Sequence, residues 1–285
     1  MVSRSKFLFA ILAVALIVMV SVSFVQLDSN SKLRNDNAAS ATKVEMSSLL
    51  AEGQSAVQKE MLEIRSLTRD LASGLGQVGL NGTDAREKMR AALAHNGFII
   101  DILTYDVNGT VQAVVPSTYS NLEGVTLTDA WTKMVLQNRT PVMSDTFLAK
   151  EHVRAAGYGY PVFNGDGVFI GAVSPLIDLA ELMNSTLSAI SFGTQYTWMA
   201  MQLDGVIIFD ADASQIGMNT LTDPSFANYT QLLAVAQKAA NEGSGYGTYT
   251  FTVELGGKQV VSKECLWLTI GMETVQWRLF LLHPL

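Results

Sequence analysis

The chain of 285 residues carries 19 Lys and Arg against 26 Asp and Glu, a formal net charge of -7, and 48% of its residues are hydrophobic. That is enough apolar material for two modules of about 100 residues, each with its own core, and the absence of a dense Lys/Arg stripe excludes nucleic acid as a partner. Its single cysteine, Cys265, rules out an internal disulfide, so burial must hold the fold.

The N-terminus opens with Arg4 and Lys6 and then an uncharged apolar run from Phe7 to Val25. As a helix this run would be about 28 Å long, close to the hydrocarbon thickness of a bilayer. The basic flank predicts a cytoplasmic N-terminus and an extracytoplasmic body. A cleaved signal peptide is the alternative, because Ser21-Val22-Ser23 offers small residues; the body would then be secreted. The length of the run favours a retained anchor over 1–27.

From Ala41 to Leu71 there is no proline, and Val44, Leu49, Val57, Met61, Ile64, Leu67 and Leu71 recur at helical spacing between charged residues. This predicts a long amphipathic helix. With its linker it occupies 28–82, as a stalk lying along the body, and its apolar stripe allows a homodimer. Gly-rich Ser73 to Gly82 is expected to break the helix, and Thr83 or Asp84 to cap a second one ending near His95.

Strand patterns begin at Phe98, turn at Asn108-Gly109 and end at Pro116. A loop, a helix over Asp129 to Gln137, three strands near Pro141–Ser144, His152–Phe163 and Gly167–Val173, and a helix over Ile177–Ala189 complete a module spanning 83–190. The segment Tyr105 to Asp129 then recurs about 95 residues later as Ala200 to Asp223, with Asn108-Gly109 answered by Asp204-Gly205 and Gly124 by Gly217. The second module, 191–285, repeats the order, with a helix over Pro224–Ala240 and three closing strands. Each module reads as α+β, five antiparallel strands with helices on one face, in a PAS-like arrangement.

Catalytic patterns are missing from the sequence. His95, His152 and His283 are isolated, and no nucleophile elbow, phosphate loop or redox cysteine pair is present. No enzyme, metal or cofactor is therefore expected. Asp204, Asp210 and Asp212 fit a hairpin better than a cation loop. Asn81, Asn108, Asn138, Asn184 and Asn228 each begin an Asn-X-Thr triplet, a weak sign of surface exposure.

The strings DVNGTVQAVVPSTYSNLEGVTLTD, YPVFNGDGVFIGAVSPLIDLAELM, LDGVIIFDADASQIGMNTL and EGSGYGTYTF, followed by WLTIGMETVQWRLFLL, occur in an order that resembles the double Cache extracellular sensor domain. The resemblance covers almost everything beyond the anchor. It implies two tandem PAS-like modules and a small-molecule ligand in the first, membrane-distal one, with the pocket in the region Tyr119 to Arg154. On this resemblance Trp131 would form an aromatic wall, Asp145 and Phe147 a next contact, and Tyr158, Tyr160 and Ser174 the sheet side.

The chain also departs from the amino-acid-binding members. Those carry an arginine just before the aromatic residue and an aspartate near the Ser174 position that holds the ligand amine. Here Asp129-Ala130 precede Trp131, and Val173-Ser174 offer no acid. A carboxylate recognised by Lys133 or Arg154 is the expected alternative, with solvated surface charge as the plain reading of both residues. Trp131, Tyr158 and Tyr160 are open between pocket and core. The chain ends after VQWRLFLL without a second membrane helix, so it is expected to report to a separate signalling partner or through its own N-terminal helix. A structural surface protein that keeps the fold without a ligand is the second function class.

Overall fold

The structure is a computed structural model. It describes the backbone of residues 4–151, 153–254 and 258–285, and the side chains of 37, 39–151, 153–252 and 259–285. The first helix, α1, spans Arg4–Val78. The apolar run of the expected anchor falls in the part of α1 whose side chains lie outside those described; among the described residues, no helix is long and apolar enough to cross a membrane. The chain divides into two compact units, 1–48 and 49–285, and the architecture that follows is that of the second.

Helix α2 (Thr83–His95) leads into β1 (Ile99–Asp106) and β2 (Val111–Val115), then α3 (Ala130–Asn138), β3 (Val142–Met143), β4 (Phe147–Leu148), β5 (Arg154–Phe163) and β6 (Phe169–Ile177). These strands form an antiparallel sheet in the order β2-β1-β6-β5-β3, with β4 paired to β5. After α4 (Leu179–Ser191) the order recurs in β7 (Thr197–Gln202), β8 (Ile207–Asp210), α5 (Thr230–Asn241), β9 (Ser244–Glu254), β10 (Lys258–Ile270) and β11 (Trp277–Pro284), whose sheet runs β8-β7-β11-β10-β9. Two antiparallel sheets with one strand order are the structural form of the sequence repeat.

Helices cover both faces of the first sheet, not one. Leu71 and Leu75 of α1 and Ala85 and Met89 of α2 pack with Ile102, Ala113 and Val173 on one face. Val135 of α3 packs with Tyr105 and Ala172 on the other. Strand alternation explains the split, since successive side chains of β1 leave opposite faces. Within 49–285, α1 also lies along the second sheet, where Gln54 and Gln58 donate to the carbonyls of Thr269 and Gly271 at 2.7 and 2.8 Å.

Three local expectations change. Helix α1 continues through Gly74 and Gly76 to Val78. A side chain at 76 would strike the Phe163 carbonyl, so glycine here admits the strand edge; Gly79, with φ of 90°, follows the last turn. The Pro224–Ala240 helix divides into a short 3-10 turn, Pro224–Phe226, and α5, with Asp223 accepting from the Ser225 N–H at 2.9 Å. Strand β4 is too short to carry a periodic signal.

Candidate functional site

On the α3 side of the first sheet lies a cavity of about 670 Å³, a size typical of small-molecule sites. Its floor includes Asp101 and Leu103 of β1, Gly157 of β5 and Ser174 of β6. Register places Leu103 opposite Ser174 and Asp101 opposite Leu176. Trp131 of α3 forms a wall: a Cβ at Gly157 would stand 2.6 Å from its ring, so the missing side chain lets the indole lie on the strand. Helix α3 is set by Asp129, whose Oδ1 accepts from the Thr132 N–H at 2.8 Å.

The segment 142–151 makes another side, and Thr274 and Val275, from the turn between β10 and β11, complete it. The Thr274 hydroxyl donates to the Met143 carbonyl at 2.8 Å, and its oxygen accepts the Met143 N–H at 3.2 Å. Trp277 donates its indole N–H to Asp145 Oδ1 at 3.1 Å, and Gln202 Oε1 accepts the Thr146 N–H at 2.7 Å. The second sheet therefore holds one wall of the first sheet's cavity.

Asp101 is the unusual group. It is 1% exposed, and neither carboxylate oxygen has a hydrogen-bond partner among the described residues. Burial pushes its pKa from 3.8 up to about 8, reinforced by the charge of the neighbouring Glu151 carboxyl and by a side-chain contact with it that favours the protonated form. Native interiors rarely leave such a group unsatisfied, because an unpaired buried polar atom costs about 1–3 kcal/mol.

Four of the residues singled out from sequence line this cavity: Trp131, Asp145, Phe147 and Ser174. The other four do not. Lys133 is exposed on the outer side of α3. Arg154 packs against the loop at Gly217, with its Nη1 3.5 Å from Thr146 Oγ1. Tyr158 and Tyr160 leave β5 on the face opposite Gly157: Tyr158 donates to Glu273 at 3.4 Å, and Tyr160 packs on the α1 and α2 core. Glu273 is also paired with Arg65 at 2.9 Å. Alternation predicted that the two tyrosines share a face, and packing decided which one.

Sequence reasoning missed Asp101, Lys150, Glu151, Thr274 and Val275. For Asp101 a signal existed, a lone acid inside the apolar strand FIIDILTY. For Thr274 and Val275 there was none, since their contacts join segments more than 130 residues apart. Among the described residues no group of three or more His, Cys, Asp or Glu could hold a metal ion. Asp204, Asp210 and Asp212 accept hydrogen bonds from turn N–H groups, and His152 lies outside the described residues.

Residues 59–178 match the family model for the HK/GC/Chemotaxis protein-like sensor domain, in accord with the resemblance read from the sequence. No curated protein matches. Among solved structures, the chain is similar to an extracellular ligand binding receptor from Desulfohalobium retbaense, with 24% identity and a TM-score of 0.69, covering 84% of this chain and 40% of that one. It is also similar to the ligand-binding domain of the Pseudomonas aeruginosa PAO1 amino acid chemoreceptor PctC in complex with GABA, with 15% identity and a TM-score of 0.56, covering 85% of this chain and 99% of that one. The ligand-binding domain of the Pseudomonas fluorescens chemoreceptor CtaA in complex with L-serine gives 12% identity and a TM-score of 0.57, covering 88% and 98%. At these identities the likeness is one of fold.

Proposed function

We propose that the protein is a membrane-anchored, extracytoplasmic sensor whose first sheet binds a small organic molecule through a positively charged group, acting by binding and not by catalysis. Asp101 carries the reading: a buried carboxyl to which no described residue donates a hydrogen bond, beside a second acid, Glu151, and facing a cavity walled by Trp131 and Phe147, is a receiver for a donor the protein does not supply. A protein that kept the fold without a ligand would fill this space with apolar side chains. In the empty cavity Asp101 holds its proton up to about pH 8. An entering ammonium group favours the carboxylate, so the proton leaves as a charge-assisted hydrogen bond forms. The Trp131 ring offers a face to the same cation.

The expected carboxylate contacts through Lys133 or Arg154 give way to this reading, because neither cation lines the cavity. The matches to sensor domains support signal reception as the role. In this reading 1–27 anchors the chain, the first sheet is membrane-distal, and occupancy is reported through α1 or to a separate signalling partner, with dimer formation along the α1 stripe.

The test is thermal unfolding of the full chain in detergent micelles against amines, amino acids, organic acids and purines. Ligand at a hundred times its Kd stabilises by about 2.7 kcal/mol. A saturable shift with amines is expected, smaller in Trp131→Ala and lost in Asp101→Ala. Affinity should fall up to about tenfold for each pH unit below 8, because binding must first expel the proton. A shift of equal size in Asp101→Ala, or none across the panel with folded protein, would overturn the reading.

A further inference from the structure

The charges around the cavity say more about the ligand than that it carries an amine. Among the described residues, four that line it are acids, Asp101, Asp129, Asp145 and Glu151, against a single cation, Lys150, which is exposed. Asp101 lies deep on the sheet without a partner. The other three are half-buried or exposed. Asp129 and Asp145 each accept one internal hydrogen bond through Oδ1, from the Thr132 N–H and the Trp277 indole. Among the described residues the lining holds no buried cation that would pair with the carboxylate of a zwitterionic ligand. Between the acids the walls are apolar, including Leu103, Leu127, Trp131 and Phe147.

We infer that the ligand is a dication: a short apolar chain with a positive group at each end and no carboxylate, one end on Asp101 with Glu151 beside it and the other at Asp129 or Asp145. This deepens the proposed function and rests on its reading of the cavity as a ligand site. One end neutralises the buried carboxylate. The second meets Asp129 and Asp145, which a monoamine would leave with one internal hydrogen bond each, and a ligand carboxylate placed there would meet like charge.

Isothermal titration of the full chain in detergent micelles with 1,4-diaminobutane, butylamine and 4-aminobutanoate tests this, since the three share a four-carbon chain and differ in the far end. The diamine is expected to bind at least tenfold more tightly than butylamine, and 4-aminobutanoate more weakly than butylamine. Asp145→Asn should narrow the diamine-to-monoamine ratio. Equal binding of diamine and butylamine, or tighter binding of 4-aminobutanoate, would overturn the dication while leaving the amine-sensor reading standing. Binding of none of the three would overturn both.

Discussion

The two sheets share a strand order yet treat a buried ionisable group in opposite ways. On the second, Arg278 of β11 is 4% exposed, and its Nε donates to the carbonyls of Ala239 and Glu242 at 2.8 and 2.9 Å, at the end of α5. Trp267 adds its indole N–H to the Glu242 carbonyl at 3.0 Å, and α5 closes over Trp267, Phe280 and Cys265. On the first, Asp101 has no such partner among the described residues and faces open space. A buried ionisable group whose hydrogen bonds are met inside the chain is architecture, whereas one whose bonds are unmet beside a cavity is an opening for a ligand.

Breaking the satisfied side should have the largest effect. Arg278→Met strands the Ala239 carbonyl at the end of α5, while Trp267 still serves that of Glu242, and should cost about 1–3 kcal/mol by chemical denaturation, the cost of one abandoned buried acceptor. A loss below about 1 kcal/mol would show that water takes over that carbonyl, and the contrast would weaken.

Asp101→Asn sharpens the other side. The unfolded carboxyl ionises near 3.8, while the folded one keeps its proton to about 8. Between those values the folded state binds more protons, so rising pH destabilises the wild type. The variant should flatten that slope and be the more stable of the two at pH 8 in the absence of ligand. Parallel stability curves from pH 4 to 8 would contradict the burial of an unpaired carboxyl.

The smallest effect falls where the sheets meet. Trp277→Phe removes the hydrogen bond to Asp145 and should cost about 1 kcal/mol beyond any packing change. Ligand affinity should fall with it if Asp145 is held in place for binding. Unchanged affinity would make the contact purely structural.

Much of this architecture is legible in the order of the residues. Asn108-Gly109 and Asp204-Gly205 mark the β1–β2 and β7–β8 hairpins because a tight turn places its φ and side-chain demands on adjacent residues. Asp129 and Asp178 announce helices for the same local reason, each accepting from an N–H three residues on. The end of α1 is not legible, because Gly76 answers to Phe163, far away in the chain. Nor is the cavity face, since period-two alternation says that Tyr158 and Tyr160 agree without saying where α3 will lie.

By itself the sequence determined the two antiparallel sheets and the order of their strands along the chain, properties of repeats, turns and periodicity carried by near neighbours, while Trp131 as a pocket wall came from the family resemblance. Tertiary structure alone decided that Asp101 would be buried without a partner among the described residues, that Lys133 and Arg154 would miss the cavity, and that Thr274 and Val275 of the second sheet would wall the first. Those outcomes depend on which groups remain nearby once water is excluded, and no local window contains that information.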